Sequence, residues 1–421
     1  MLGSRTRLIR PCPFLSTKVC HPAGLRSFNP ATCPLASIMT TADGTSLDGP
    51  QANGQHKKIN AWQQPGPAAF DFRSDTITTP TASMLNAIAN TTLMDDVFVE
   101  DPTTNELEAD MAALAGHEAG LLVMSGTMGN QVAIRALLTQ PPYSVLCDHR
   151  SHVLNYEAGG VSSLTGAQVM GVIPRNGIYL TLEDIKENAI LSDDVHACPT
   201  KVISVENTLA GTIMPLEEVR KISAFAREND IKMHLDGARI WEVVAANAGS
   251  LPEFTTCFDS VSMCFSKGLG APIGSIIVGS VPLIKHARRI RKSIGGGTRQ
   301  AGIIAAAARV AVEESFGKGP WGEGGKLRAC HTRAKKIGET WRSKGGKLTN
   351  PTETNMVWLD LEAAGCTSDE FVELAKEEGL KMLGSRLVVH YQISDDAITR
   401  LEKLMDRLLQ HRQVKNGIKH I

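Results

Sequence analysis

From Phe70 onward, short apolar runs alternate with segments of helical period, and this alternation constrains the fold more than any other feature of the chain. Candidate strands fall at 120–124, 144–147, 201–205, 232–235, 260–265 and 275–278, with helical stretches such as 129–138 and 216–228 between them. Such a succession predicts an α/β domain with a largely parallel sheet. After Arg299 helices dominate, first the Ala-rich 301–316 and then the charged 326–342. Strands near 356–361 and 387–391 follow, with helices between and after them. The expected organisation is a large domain over 68–315 and a smaller C-terminal α/β domain over 316–421. No repeat of 20 to 50 residues is visible, which argues against a solenoid.

The N-terminal residues differ from the rest. Arg5, Arg7, Arg10, Lys18 and Arg26 meet no acidic residue before Asp43, the pattern of a mitochondrial targeting segment, so 1–42 reads as a basic arm. Pro11, Pro13, Pro22, Pro30 and Pro34 would interrupt the helix such signals form, and Met39 offers an internal start. The expected location is therefore cytoplasmic or mitochondrial. Residues 43–67, polar and rich in Gly and Pro, read as a linker. Lys and Arg total 44 against 44 Asp and Glu, so there is no basic excess for tracking nucleic acid. No window approaches the ~20 apolar residues of a membrane span. The nine cysteines contain no CxxC pair and read as reduced thiols.

Three segments carry chemistry. In Ser125-Gly126-Thr127-Met128-Gly129-Asn130, an apolar run meets a helix start. Free backbone N–H groups and the helix dipole there suit a phosphate, although an ordinary strand-to-helix turn has the same pattern. The spacing is that of neither a dinucleotide nor a triphosphate loop. In His234-Leu235-Asp236-Gly237-Ala238-Arg239, an acid ends a strand, either to hold a cationic ring nitrogen or to cap the next helix. In Phe265-Ser266-Lys267-Gly268-Leu269-Gly270, one lysine follows an apolar strand. Desolvation would turn its amine into a carbonyl-directed nucleophile, or the side chain snorkels to the surface. Anion cradle, acid and lysine in this order are the parts that pyridoxal 5'-phosphate (PLP) requires.

Here the chain resembles the threonine aldolase family, within the beta-eliminating lyase group of fold-type I PLP enzymes. The likeness runs from about Phe70 to the C-terminus. It includes Asp71-Phe72-Arg73-Ser74-Asp75-Thr76, Glu100-Asp101-Pro102, the three segments above, and Gly295-Gly296-Gly297-Thr298-Arg299-Gln300. The resemblance implies a large domain with a mostly parallel seven-stranded sheet and a homodimer or homotetramer. It implies a lyase acting on a small amino acid, cleaving L-threonine, L-allo-threonine or a related β-hydroxy amino acid to glycine and an aldehyde. An alanine racemase related to the same family is the alternative.

By the same resemblance Lys267 would join PLP as a Schiff base, Asp236 would pair with the ring nitrogen, and Arg239 would approach the phenolic oxygen. Gly126, Thr127 and Arg299 would hold the phosphate, the last in some relatives reaching across from a neighbouring subunit. His152 would stack on the ring, Ser74 and Arg386 would bind the substrate carboxylate, and His196 would approach the substrate hydroxyl. Either histidine suits a general base, since imidazole titrates near neutral pH. Cys147, Asp148, His149 and His152 also suggest a metal cluster, but no second Cys or His pair completes a tetrahedral set. His390 reads as structural. Three positions depart from the family pattern: Val99 replaces a common glycine, Leu209 a histidine and Thr298 a methionine. All three bear on substrate preference rather than on the cofactor.

Overall fold

The computed structural model describes residues 66–317 and 324–418; the basic arm and nearly all of the linker lie outside the described residues. Seven strands form the main sheet: β1 Ala119–Val123, β2 Ser144–Asp148, β3 Gln168–Val172, β4 Thr200–Glu206, β5 Lys232–Asp236, β6 Ser260–Cys264 and β7 Ser275–Gly279. Their order is β1-β7-β6-β5-β4-β2-β3, with β3, β2, β4, β5 and β6 mutually parallel and β7 antiparallel to both β6 and β1. Every residue of β2, β6 and β7 is buried, Ser260, Ser262 and Asp148 included, as expected of strands covered on both faces. No candidate strand fell on β3. It is an edge strand, and Gln168 and Gly171 are exposed between its apolar Val169, Met170 and Val172.

Because β1 is antiparallel to β7 and β7 to β6, β1 runs in the same direction as the parallel strands. The C-terminal ends of β1, β2, β4, β5 and β6 therefore share one edge of the sheet, the edge where open α/β sheets bind ligands. The helix Gly126–Leu137 starts at this edge, capped by the Ser125 hydroxyl, which accepts a hydrogen bond from the Met128 amide at 3.2 Å. It lies very close to β6. A β-carbon on Gly129 would stand 2.3 Å from Ser262 Oγ, and one on Gly126 would stand 2.7 Å from Cys264 Sγ.

A second core forms beside the sheet. The helices Gly325–Ser343, Ser368–Glu377 and Asp395–Ile418 pack with the two-stranded antiparallel sheet of β8 Met356–Trp358 and β9 Arg386–Val388, burying Trp341, Val357, Phe371, Leu387 and Leu401. Phe72, placed by the sequence division in the large domain, lies in this core, completely buried. Its backbone is held at both ends: its amide donates to Lys381 O at 2.8 Å, and its carbonyl accepts from the Val388 amide at 2.9 Å. The anchored Phe72 thereby positions Ser74 and Asp75 over the sheet edge. Phe72→Ala should cost roughly 3–5 kcal/mol by the cavity it leaves. Urea denaturation measures this, and an unchanged midpoint contradicts the anchoring role.

Candidate active site

Asp236 is the last residue of β5 and only 3% exposed. Its Oδ2 accepts from Asn130 Nδ2 at 2.8 Å, and its Oδ1 accepts from the Ala238 amide at 3.1 Å. Glu206, the last residue of β4, is its cross-strand partner. Burial, aided by the neighbouring Asp236 charge, pushes the Glu206 carboxyl up to about 8, although the His152 amide donates to its Oε2 at 2.8 Å. Adjacent buried carboxyls resist carrying two negative charges, so one of them is readily protonated. Below this pair, His234 Nε2 meets Asn130 Oδ1 at 3.1 Å and Nδ1 meets Ser260 Oγ at 2.8 Å.

Arg239 follows β5 and forms a two-pronged ion pair with Asp75, Nε to Oδ2 at 2.8 Å and Nη2 to Oδ1 at 2.6 Å. Burial alone would raise the Asp75 carboxyl, but the Arg239 charge and its hydrogen bonds outweigh burial and hold Asp75 well below the usual carboxylate range. Asn355 Nδ2 adds a longer bond to the same carboxylate at 3.3 Å. Arg386, at the start of β9, lies near this pair: burial and then the Arg239 charge lower its pKa. Its Nη2 donates to Arg73 O at 3.1 Å. Ser74 caps the turn Asp75–Ile77, its hydroxyl accepting from the Thr76 amide at 3.2 Å. Arg239 and Arg386 thus share this corner with the Asp75 carboxylate, and the Glu206 and Glu242 carboxyls also act on Arg239.

Lys267 lies in the turn after β6, where its carbonyl accepts from Gly270 N at 2.9 Å and Thr78 Oγ1 at 3.1 Å. Its charge acts on Asp75, Glu206 and His152, so the amine shares their cleft. His152 sits across from Asp236 with Nδ1 2.9 Å from Glu157 Oε1. That bond first, and the Asp236 charge as well, raise its pKa against burial and the Lys267 charge. Gly126 and Thr127 occupy the first turn of the helix that packs on Cys264, three residues before Lys267.

The structure thus brings together Lys267, Asp236, Arg239, His152, Gly126, Thr127, Ser74 and Arg386, and leaves two sequence candidates apart. His196 lies in the loop before β4, its ring 89% exposed and bonded to Asp194 at 2.9 Å. It therefore sits at the opposite end of the sheet from Asp236. Arg299 is exposed and binds Asp95 Oδ2 at 2.9 Å. Three contributors carried no assigned role in the sequence: Asp75, Glu206 and Glu157. Glu206 ends an apolar strand, as Asp236 does, and that position was its one available signal. His390 is structural as expected, buried with Nε2 2.9 Å from Asp71 O.

The residues fit PLP. The helix start offers free N–H groups for its phosphate, Asp236 a carboxylate for the ring nitrogen, Lys267 an amine and His152 a flat ring. Ser262 Oγ and Glu157 Oε2 are buried nearby without a hydrogen-bond partner among the described residues. His152, Glu157 and Asp236 also offer metal-ligand atoms within 4.8 Å of one another. The Asn130 amide stands between the two carboxylates and donates to both, filling a cation's position.

A lysine, a buried carboxylate and a helix start at one sheet edge are the parts that a coenzyme-dependent enzyme of amino-acid chemistry would use. The Beta-eliminating lyase family matches residues 71–364, and the chain belongs to that family. Its cofactor is PLP. It is 57% identical to "Aldolase vrtJ" of Penicillium aethiopicum, over 86% of this chain and 92% of the relative. It is 48% identical to "Alanine racemase TOXG" of Cochliobolus carbonum (85% and 92% covered) and 46% to the low-specificity L-threonine aldolase of Candida albicans (82% and 91%). The threonine aldolase of Leishmania major shares the fold, with a TM-score of 0.69 at 17% identity over 81% of this chain and 99% of that one.

Burial pushes His234 from its ordinary 6.5 down to about 4. Between those values the unfolded chain binds a proton that the folded chain refuses, so the stability His234 contributes is complete above the window and lost as pH falls through it. The loss amounts to roughly 3 kcal/mol. Urea midpoints recorded from pH 7 to pH 4 should fall more steeply for the wild type than for His234→Gln, and parallel profiles contradict this.

Proposed function

We propose that the chain is an aldolase that cleaves L-threonine, L-allo-threonine or a related β-hydroxy amino acid to glycine and an aldehyde. The observation that carries this reading is the convergence of Lys267, Asp236 and His152 at the strand ends beside the corner that holds Arg239 and Arg386. Arg386 and Ser74 hold the substrate carboxylate there. The planar fork of arginine makes parallel charge-assisted bonds, which fix the rotation of the amino acid and direct Cα–Cβ across the ring plane. PLP supplies the electron sink for the pair left on Cα. Asp236 keeps a proton on the ring nitrogen, and His152 removes the proton from the substrate hydroxyl. The curated relatives named as aldolases support this assignment.

The relative named an alanine racemase favours a second reading with the same lysine, acid and anion cradle. In it Cα–H rather than Cα–Cβ lies across the ring, and Lys267 and His152 exchange the Cα proton. Incubating the holoenzyme separately with L-allo-threonine and L-alanine separates the two. Glycine and acetaldehyde from the first with no D-alanine from the second are expected; D-alanine with no glycine contradicts aldolysis.

A second copy of the chain covers an apolar patch on the adjoining segments 93–99 and 294–303. Leu93, Met94, Phe98, Val99, Ile294 and Ile303 are all exposed, Phe98 by 69%. The segments are joined by the Asp96 amide, which donates to Arg299 O at 2.8 Å, and by the Thr298 hydroxyl, which donates to Asp96 Oδ2 at 3.1 Å. Gly296 lies close to Met128 in the first turn of the phosphate-facing helix, so the patch borders the cleft. In this reading the exposed Arg299 lies at the rim of the subunit interface. Light scattering should give a dimer or tetramer for the wild type and a smaller particle for Phe98→Glu; a monomeric wild type contradicts the assignment. No helix among the described residues is long and apolar enough to cross a membrane. Free thiols at Cys147, Cys257, Cys264 and Cys330 fit a reducing compartment, cytoplasmic or mitochondrial.

A further inference from the structure

Glu157 follows His152 by five residues, and Asn130 lies in the first turns of the helix Gly126–Leu137. Both side chains are buried. Asn130 Nδ2 stands 2.8 Å from Glu157 Oε1 and 2.8 Å from Asp236 Oδ2, and its Oδ1 stands 3.1 Å from His234 Nε2. Only one orientation of the amide satisfies all three contacts. With Oδ1 turned the other way, an acceptor would face two carboxylates and a donor would face His234. His234 is kept neutral by burial and accepts a hydrogen bond from the Ser260 hydroxyl at Nδ1, so its Nε2–H is the donor to Asn130.

The same bookkeeping of protons extends to His152. Glu157 Oε1 lies 2.9 Å from Nδ1, and a carboxylate oxygen accepts, so Nδ1 carries the hydrogen. In the neutral ring Nε2 is then the bare nitrogen. The Glu157 side chain is fully buried while the His152 side chain is 37% exposed, so the ring is gripped on one edge and open on the other. The other groups around His152 are the Glu206 carboxyl on its backbone amide, Asp236, Lys267, and Tyr156, whose ring centroid lies 5.7 Å away.

We propose that Glu157 and Asn130 are positioning residues: Glu157 holds His152 as the Nδ1–H tautomer with Nε2 presented to the substrate hydroxyl, and Asn130 ties this pair to Asp236, the carboxylate assigned to the coenzyme's ring nitrogen. The inference deepens the aldolase reading and rests on it. When the hydroxyl proton moves to Nε2, the oxygen keeps the O–H electrons and forms the aldehyde double bond as Cα–Cβ breaks. Bound PLP would supply the electron sink for the Cα pair. The resulting imidazolium faces the Glu157 carboxylate, which stabilises it, and it later gives up the proton as glycine is formed.

The test uses the full-length holoenzyme with L-allo-threonine. Glu157→Gln should retain bound PLP while kcat falls about tenfold to a hundredfold with little change in KM. Its acidic limb of kcat against pH should move to lower pH, because the carboxylate that favours the imidazolium is gone. Glu157→Asp should restore part of the rate. In a His152→Ala background Glu157→Gln should add almost nothing, since both act through one group. Asn130→Ala should change the pH titration of the bound coenzyme's visible band, a readout independent of turnover. An unmoved acidic limb, or additive losses in the double variant, overturns the relay. Should a variant fail to fold, nitrogen NMR of histidine-labelled wild type decides: protonated Nδ1 at His152 supports the relay and protonated Nε2 overturns it. Lys267→Ala separates the two levels. If that variant keeps the visible band and full activity the aldolase reading itself fails, whereas a loss of both alongside an unchanged Glu157→Gln profile defeats the relay alone.

Discussion

A helix can begin against the side of a strand only where its first turn has no side chains in the way. Gly126 and Gly129 meet that condition against Cys264 and Ser262, and the arrangement of the site follows from it. The close approach sets the positive end of the helix beside the strand that leads into Lys267. It also carries Asn130 deep enough to reach Asp236 and His234 at once. A larger residue at either glycine would push the helix away and separate the anion cradle, the lysine and the acid together.

The second constraint is the compensation of buried charge. Burying an ion is costly unless a partner neutralises it, and the cleft does so group by group. Asp75 is matched by Arg239, Glu157 by the Asn130 amide and the His152 ring, and His234 by losing its proton. Away from the cleft, Asp96 takes Arg291 at 2.6 Å and Arg288 at 3.4 Å, bracing the loop that carries the exposed apolar patch. The group left with the least compensation is Glu206, beside Asp236, and its carboxyl is correspondingly easy to protonate.

Much of this was legible in the sequence because the sheet strands are buried on both faces. The helix Leu216–Glu228 and the strands around Asp236 and Lys267 stand where periodicity put them. What escaped was carried by contacts between distant segments. Phe72 joins the second core from a position more than 250 residues before most of it, β3 is an edge strand with one neighbour and with Gln168 and Gly171 exposed, and Asp75 acquires its meaning only opposite Arg239. Among the site residues, Lys267, Asp236 and the helix start could be reasoned from residue type and place. His152 and Arg386 came from resemblance, and the surface position of His196 came from neither. Val99 is instructive: its backbone is left-handed, φ 59°, a conformation natural to glycine and costly for a β-branched residue. The departure noted in the sequence therefore retains a backbone shape while adding an apolar side chain at the patch.

All of these relations converge on one amine. Borohydride reduction of the native holoenzyme followed by peptide mapping tests the account most directly. It predicts a pyridoxyl group on Lys267, while a modified lysine elsewhere in the chain, or a protein that takes up no coenzyme and carries no adduct, would contradict it.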